Sequence, residues 1–306
     1  MNELGLNFLK WMQEHRTPGG EEFFLRVTGW GEGFWLMAVL GVLFWVFGGR
    51  VAYRAGLALL AGDLLSSVVK NVCCIPRPWV RDPLILPVGE AQWGAFGYSF
   101  PSGHASSSAL LWGGIAAAAR RWWLWIPALA WIGLTGVSRV YLGVHTPVDV
   151  AGSWLLAVPV VWAACRAVRR TEQTPSQAWI VLGGAALLAA AGMAFMHWRP
   201  VPEGADLARF GRDTYRAAAA LLAFAAAWHI ERTHVRYDPA RLGAYRIVAV
   251  AVGVLVLSLM MGHLRRLTAP WLGENGAMYA LAAACPLWIF VVWPFLLKGL
   301  EKPAPR

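Results

Sequence analysis

The chain has 306 residues, of which 58% are hydrophobic and only 14% charged; an ordinary soluble domain carries about 25% charged residues. That deficit excludes a typical soluble globule and points to an all-α, polytopic membrane protein. The net charge of +10 does not imply nucleic acid, because the basic residues fall in short loops between apolar stretches and form no continuous stripe.

In chain order, residues 1–33 read as an interfacial segment: Leu4, Phe8, Trp11, Phe23, Phe24 and Val27 are interleaved with polar residues, broken at Pro18–Gly20. They lack the charged start, short apolar centre and cleavage site of a secretory signal, so the first span is expected to be retained. Hydropathy, punctuated by Arg, Pro and Gly, then places about nine spans, near 34–48, 52–70, 104–119, 122–141, 147–165, 177–196, 214–230, 246–263 and 277–298. Gly49–Arg54 reads as a tight turn. The 19 tryptophans gather near span ends, where amphipathic rings suit the headgroup region. Four cysteines, two of them adjacent at Cys73 and Cys74, are too few for a disulfide framework.

With nine spans the loops divide into two sets. Arg50, Arg54, Arg120, Arg121, Arg166, Arg169, Arg170, Arg232, Arg236, Arg241, Arg246, Lys298, Lys302 and Arg306 lie on one side, which the positive-inside rule assigns to the cytoplasm. The other side, expected to face out of the cell from the plasma membrane, carries the long loop from Trp79 to Phe100. That loop holds Pro83, Pro87, Trp93, Phe96 and Tyr98. Its length is typical of functional loops.

Three segments on that outer side combine cations, His, Ser and Asp at the membrane boundary. They are Lys70-Asn-Val-Cys-Cys-Ile-Pro-Arg77-Pro78; Pro101-Ser102-Gly103-His104; and Ser138-Arg139, five residues, His145, three residues, Asp149. A phosphate dianion needs several fixed positive groups. Arg77 and Arg139 offer planar forks and Lys70 a point charge. Ser102 is placed to cap the helix that follows, with Gly103 permitting close approach to its N-terminal amides. Asp149, four residues after His145, is placed to hold one imidazole nitrogen protonated and leave the other free to attack phosphorus. His104 would then give a proton to the leaving oxygen and later take one from water. No His, Cys and Asp cluster at metal-ligand spacing accompanies these residues, so no cofactor or metal is expected, and the cations take over the neutralising task that Mg²⁺ performs in kinases. Ser138 and Asp63 are candidate supporting residues; Asp63 lies two turns before Lys70 and would orient it, or else pack with Ser66 or Ser67. Asp149 also fits a helix-capping role beside Thr146-Pro147, and His197, His229, His234 and His263 read as boundary anchors.

The three segments resemble the tripartite signature of the type-2 phosphatidic acid phosphatase superfamily, which includes lipid phosphate phosphatases, glucose-6-phosphatase and vanadium haloperoxidases. The resemblance is tight over 70–149 and loose in the flanking spans. It implies a metal-independent phosphohydrolase with His145 as nucleophile, His104 as general acid, Asp149 as its orienting carboxylate, and Lys70, Arg77, Ser102, Gly103 and Arg139 on the phosphate. The implied organisation is a phosphatase core at 34–170 and additional helices at 171–306. The expected partners are a lipid phosphate monoester or isoprenyl diphosphate and the membrane lipids. The competing readings are a transporter or channel without hydrolytic activity, for which many spans would suffice, and a phosphotransferase passing the phosphoryl group to another acceptor.

Overall fold

The computed structural model describes residues 3–93, 95, 97–200 and 207–301; Phe96, Lys302 and Arg306, named above, lie outside these. The fold is all-α, with no strand among the described residues. Its helices are α1 (Glu3–Glu14), α2 (Pro18–Gly29), α3 (Gly33–Phe47), α4 (Gly49–Cys73), α5 (Pro78–Arg81), α6 (Gly89–Trp93), α7 (Gly103–Ala119), α8 (Trp125–Tyr141), α9 (Pro147–Gln173), α10 (Trp179–Trp198), α11 (Leu207–Ile230), α12 (Tyr245–Leu259), α13 (Arg265–Leu287) and α14 (Trp293–Lys298).

Among the described residues four segments are long and apolar enough to cross a membrane: Gly49–Arg81, Pro147–Gln173, Pro175–Trp198 and Tyr245–Lys298. A fifth arises if α2 and α3, bent by 51°, count as one span. This criterion does not reach the expected nine. Helices α7 and α8 have 17 residues each, short of the roughly 20 that a 30 Å core requires, and α11 carries Arg212, Asp213 and Arg216 in its first half. Tyr245–Lys298 doubles back on itself. Trp288 Nε1 donates to Gly253 O (3.1 Å) and Trp293 Nε1 to Ala249 O (2.9 Å), an antiparallel register, with Gly273 (φ 69°) at the break.

Two local expectations need correction. Gly49–Arg54 is the first turn of α4 and not a loop; Gly48 alone (φ 80°) reverses the chain, a conformation open to glycine without steric cost. In the N-terminal segment the break falls before Pro18. Thr17 caps α2, its hydroxyl accepting from Gly20 N, and Pro18 opens the helix in the position where a missing N–H costs nothing.

Inside a bilayer there is little hydrophobic drive between helices, and close backbone approach takes its place. A side chain on Gly114 would come within 3.1 Å of Ala55 Cα, so α7 lies directly on α4. The opposite half is knit by larger groups: Phe290 packs on Phe44 (4.8 Å) and Phe224 (5.3 Å), and buried Glu231 accepts from Tyr53 Oη and from Tyr237 N.

The hydrogen bonds also establish which helix ends share a side. Arg54 bonds Ala118 O and Glu172, and Arg232 bonds Thr171, so the start of α4 and the ends of α7, α9 and α11 lie together. At the other end Lys70 bonds Pro101 O, and Arg77 bonds Val144 O. The three motif segments therefore meet at one end of an antiparallel cluster formed by α4, α7, α8 and α9.

Candidate active site

Each motif sits where a helix stops or starts. Helix α4 ends when Cys74 turns left-handed (φ 50°), its N–H closing on Lys70 O, and Pro76 two residues later prevents continuation. Lys70 thus stands in the last turn of α4, and its ammonium donates to Tyr98 O (2.9 Å) and Pro101 O (2.8 Å). Two of three donors are fixed, leaving one for an anion. Arg77, in the extended residue before α5, is 7% exposed; its Nε donates to Gly97 O (3.1 Å) and its Nη1 to Val144 O (3.1 Å).

Ser102 occupies the N-cap of α7 but does not cap it, contrary to the expectation. Its amide is taken by Ser153 Oγ (2.8 Å). Its hydroxyl is buried without a partner among the described residues. A Cβ added to Gly103 would meet nothing within 4 Å, so there is room over the helix N-terminus, where N–H groups and the helix dipole favour an anion. His104 follows in the first turn of α7, within electrostatic range of Arg139, His145, Arg77 and Lys70. Gly31 lies against its ring: a Cβ there would be 3.3 Å from Cδ2.

Arg139, in the last turn of α8 and 3% exposed, donates through Nη1 to Thr28 Oγ1 (2.5 Å), while its Nε has no partner among the described residues. Its carbonyl accepts from Val144 N (3.2 Å) and His145 N (3.3 Å), which closes the turn into α9. Gly143 (φ 76°) makes that turn possible, and any Cβ there would strike Arg16 Nη2 at 2.5 Å.

His145 is 2% exposed. Its Nε2 lies 2.9 Å from Arg77 Nη1; since a guanidinium only donates, Nε2 is the acceptor and the ring proton resides on Nδ1. Nδ1 faces Asp149 Oδ2 at 3.7 Å, close enough for ionic attraction and too long for a hydrogen bond. The same oxygen accepts from Ser99 Oγ (2.7 Å) and Thr146 N (2.7 Å). Asp149 therefore completes the capping box of α9 and faces the histidine at once. Burial and the positive charge of Arg77 hold the His145 imidazole well below the ordinary histidine range, against the opposing pull of Asp149.

Lys70, Arg77, Ser102, His104, Arg139, His145 and Asp149 thus converge. Ser138 does not join them, because its hydroxyl is spent on Thr135 O (2.6 Å). Asp63 also stands apart: it pairs with Arg216 of α11 at 2.8 Å. Seven residues along a helix is about 10 Å, beyond reach of Lys70, and Ser66 and Ser67 bond to Ser106 and Thr214 instead. Residues that the sequence did not single out complete the site. Thr28 holds Arg139, Ser99 holds Asp149, and Ser153 holds the Ser102 backbone. Arg199 donates to both Asn71 O and Asn71 Oδ1 at 2.8 Å, bracing the end of α4. Ser99, directly before Phe100-Pro101-Ser102, had a positional signal; Thr28 and Arg199 had none. The N-terminal hairpin is tied down over this end through Lys10–Asp82 (3.1 Å), Arg16 Nη1 to Leu86 O (2.6 Å) and Thr17 N to Tyr141 Oη (3.0 Å).

Fold and site together define an all-α bundle with helices long and apolar enough to cross a membrane and a largely buried cluster of histidine, arginine and lysine at one of its ends. Residues 51–173 match the model of the PAP2 superfamily. The chain is 30% identical over 125 residues to undecaprenyl-diphosphatase BcrC of Bacillus subtilis, covering 40% of this chain and 62% of that protein. It is 24% identical over 155 residues to a dihydrosphingosine 1-phosphate phosphatase of Schizosaccharomyces pombe (47% and 37% coverage) and 42% identical over 62 residues to an undecaprenyl-diphosphatase of Sulfolobus acidocaldarius (19% and 28%). The chain spans less than two thirds of the length of each of these relatives. No solved structure matches.

Proposed function

We propose that this protein is an integral membrane phosphatase that hydrolyses a lipid phosphate monoester or an isoprenyl diphosphate through a phosphohistidine at His145, without a metal. The observation that carries the proposal is the neutral His145 Nε2, 2.9 Å from Arg77 and facing Asp149, in a site where buried Ser102 Oγ and Arg139 Nε lack partners among the described residues. Buried polar atoms are normally satisfied, and phosphate oxygens would satisfy these. The names of the relatives support a phosphate ester or diphosphate on a long hydrocarbon. The position of the site at helix ends supports the same, since the phosphate can reach it while the chain stays in the bilayer.

In this reading Arg77 and Arg139 take the phosphate oxygens, with Arg77 turning from His145 as the substrate arrives. Nε2 attacks phosphorus, the P–O bond to the leaving group breaks, and its electron pair is protonated by His104. Water then attacks the phosphohistidine, giving its proton to His104, and the N–P bond breaks to release inorganic phosphate. The cations neutralise charge on the equatorial oxygens in the transition state. Residues 34–170 are the catalytic core, and helices within 171–306 brace it through Arg199 and Arg216.

Purified protein should release phosphate from at least one of dihydrosphingosine 1-phosphate, phosphatidate and undecaprenyl diphosphate, and His145→Ala should release none. Uptake of a polar solute by folded protein without any hydrolysis would favour a transporter. Phosphate appearing on an acceptor other than water would favour a phosphotransferase. We place the site on the extracytoplasmic face of the plasma membrane: in a Cys-free background, single cysteines in the Trp79–Phe100 loop should react with an impermeant reagent in intact cells, and those at Arg166–Arg170 should not. The reverse pattern would invert the orientation.

A further inference from the structure

At the end of the bundle opposite His145, α8 and α9 diverge from the short turn that joins them and leave a cleft of about 820 Å³, floored by α7. Glycines make this space. A Cβ on Gly133 would meet nothing within 4 Å, and one on Gly113 would only reach Val161 at 4.0 Å. The walls are apolar, with Leu129, Val158 and Trp162 lining the cleft and exposed along its length. Its outer end is different in kind: Arg54, Arg166, Arg169 and Arg170 all border it.

Three of these arginines lack an acidic partner among the described residues. Among the described residues no carboxylate lies within salt-bridge distance of Arg166, Arg169 or Arg170. Arg166 instead stacks over Trp162 at 5.7 Å. The Arg54 side chain is 7% exposed and pairs with Glu172, yet its Nε is buried without a partner among the described residues. With Glu172 as the neighbouring acid, the cluster keeps three uncompensated positive charges at a membrane boundary. Arg120 and Arg121 follow α7 on the same side.

We propose that this cleft binds a glycerophospholipid with an anionic headgroup from the leaflet facing that end. The headgroup phosphate would be taken by Arg166, Arg169 and Arg170, guanidinium forks suited to its oxygens, and an acyl chain would lie between α8 and α9 past Gly133. Charge complementarity selects this occupant over a zwitterionic lipid, because each basic residue at the surface adds attraction for anionic lipid. An apolar wall exposed to the bilayer selects a lipid over a free anion. The site is separate from the His145 chemistry and does not rest on it.

Native mass spectrometry of the full-length protein in detergent, with phosphatidylglycerol and phosphatidylethanolamine of the same acyl chains, tests this. Wild type should retain phosphatidylglycerol at least about tenfold better, and the exposed-surface variant Arg166→Gln/Arg169→Gln/Arg170→Gln should lose that preference. Gly133→Leu, which fills the cleft, should reduce retention of phosphatidylglycerol; if that variant fails to fold, the arginine variant alone decides. Equal retention of the two lipids by wild type would overturn the proposal, as would phosphatidylglycerol binding that survives in the triple variant, which would place the lipid elsewhere. Displacement of phosphatidylglycerol by millimolar inorganic phosphate would show a free-anion site and also overturn it, as would a dimer in which cross-linking places a second copy in the cleft.

Discussion

Asp149→Asn separates the charge of this carboxylate from its shape. One oxygen, Oδ2, accepts from Ser99 Oγ and Thr146 N and faces His145 Nδ1. An asparagine whose carbonyl oxygen takes that position keeps both hydrogen bonds and the cap of α9, and loses only the negative charge. When Nε2 bonds to phosphorus the imidazole becomes cationic, and at 3.7 Å an effective dielectric near 20 gives an attraction of about 4 kcal/mol. Removing it should lower kcat/KM by about 10³-fold. The assay is phosphate release from a lipid phosphate, together with the burst of phenol from an aryl phosphate, which isolates formation of the phosphoenzyme. The loss should appear in the burst. A folded Asp149→Asn enzyme within tenfold of wild type in that burst would show that Asp149 only caps the helix.

The two histidines should separate by leaving group. His145→Ala should abolish turnover of every substrate, whereas His104→Ala should lose about 10² to 10⁴ on an alkyl phosphate and much less in the phenol burst, because an acidic phenol departs without a proton; equal losses for both substrates would reverse the assignment. Activity should persist in excess chelator and be inhibited by vanadate, which resembles the five-coordinate transition state; loss in chelator that Mg²⁺ or Zn²⁺ restores would refute the metal-free mechanism. Because the folded pKa of His145 lies below its unfolded value of about 6.5, the unfolded chain takes up a proton that the native state does not. Stability contributed by this group is therefore full above pH 6.5 and falls below it, by up to about 1.4 kcal/mol per pH unit. His145→Asn should flatten the decline in Tm between pH 6.5 and 5, and an unchanged slope would mean that the imidazole is protonated in the folded state.

Membrane character and helical class were legible in composition, because a bilayer leaves the backbone no option but to satisfy itself along apolar helices or a closed barrel. The three motifs were legible because their residue types suit one anion and their spacing is local. Lys70 and Arg77 straddle one helix end, and His145 and Asp149 lie one turn apart. Tertiary structure alone decided what holds them. Thr28 reaches Arg139 across 111 residues, Arg199 reaches Asn71 across 128, and Arg216 takes Asp63 across 153. No periodicity or motif announces such pairs, since each depends on which helix ends the bundle brings together. Ser102 shows the difference in a single residue. Its place before an apolar run identified it as an N-cap, a position it does occupy, but its amide bonds Ser153 of a separate helix and its hydroxyl is buried without a partner among the described residues. The span boundaries follow the same division. Apolar runs locate the helices, whereas the doubling back of Tyr245–Lys298 and the splay of α8 from α9 come from how neighbouring helices pack. That packing depends on contacts between residues far apart in the chain.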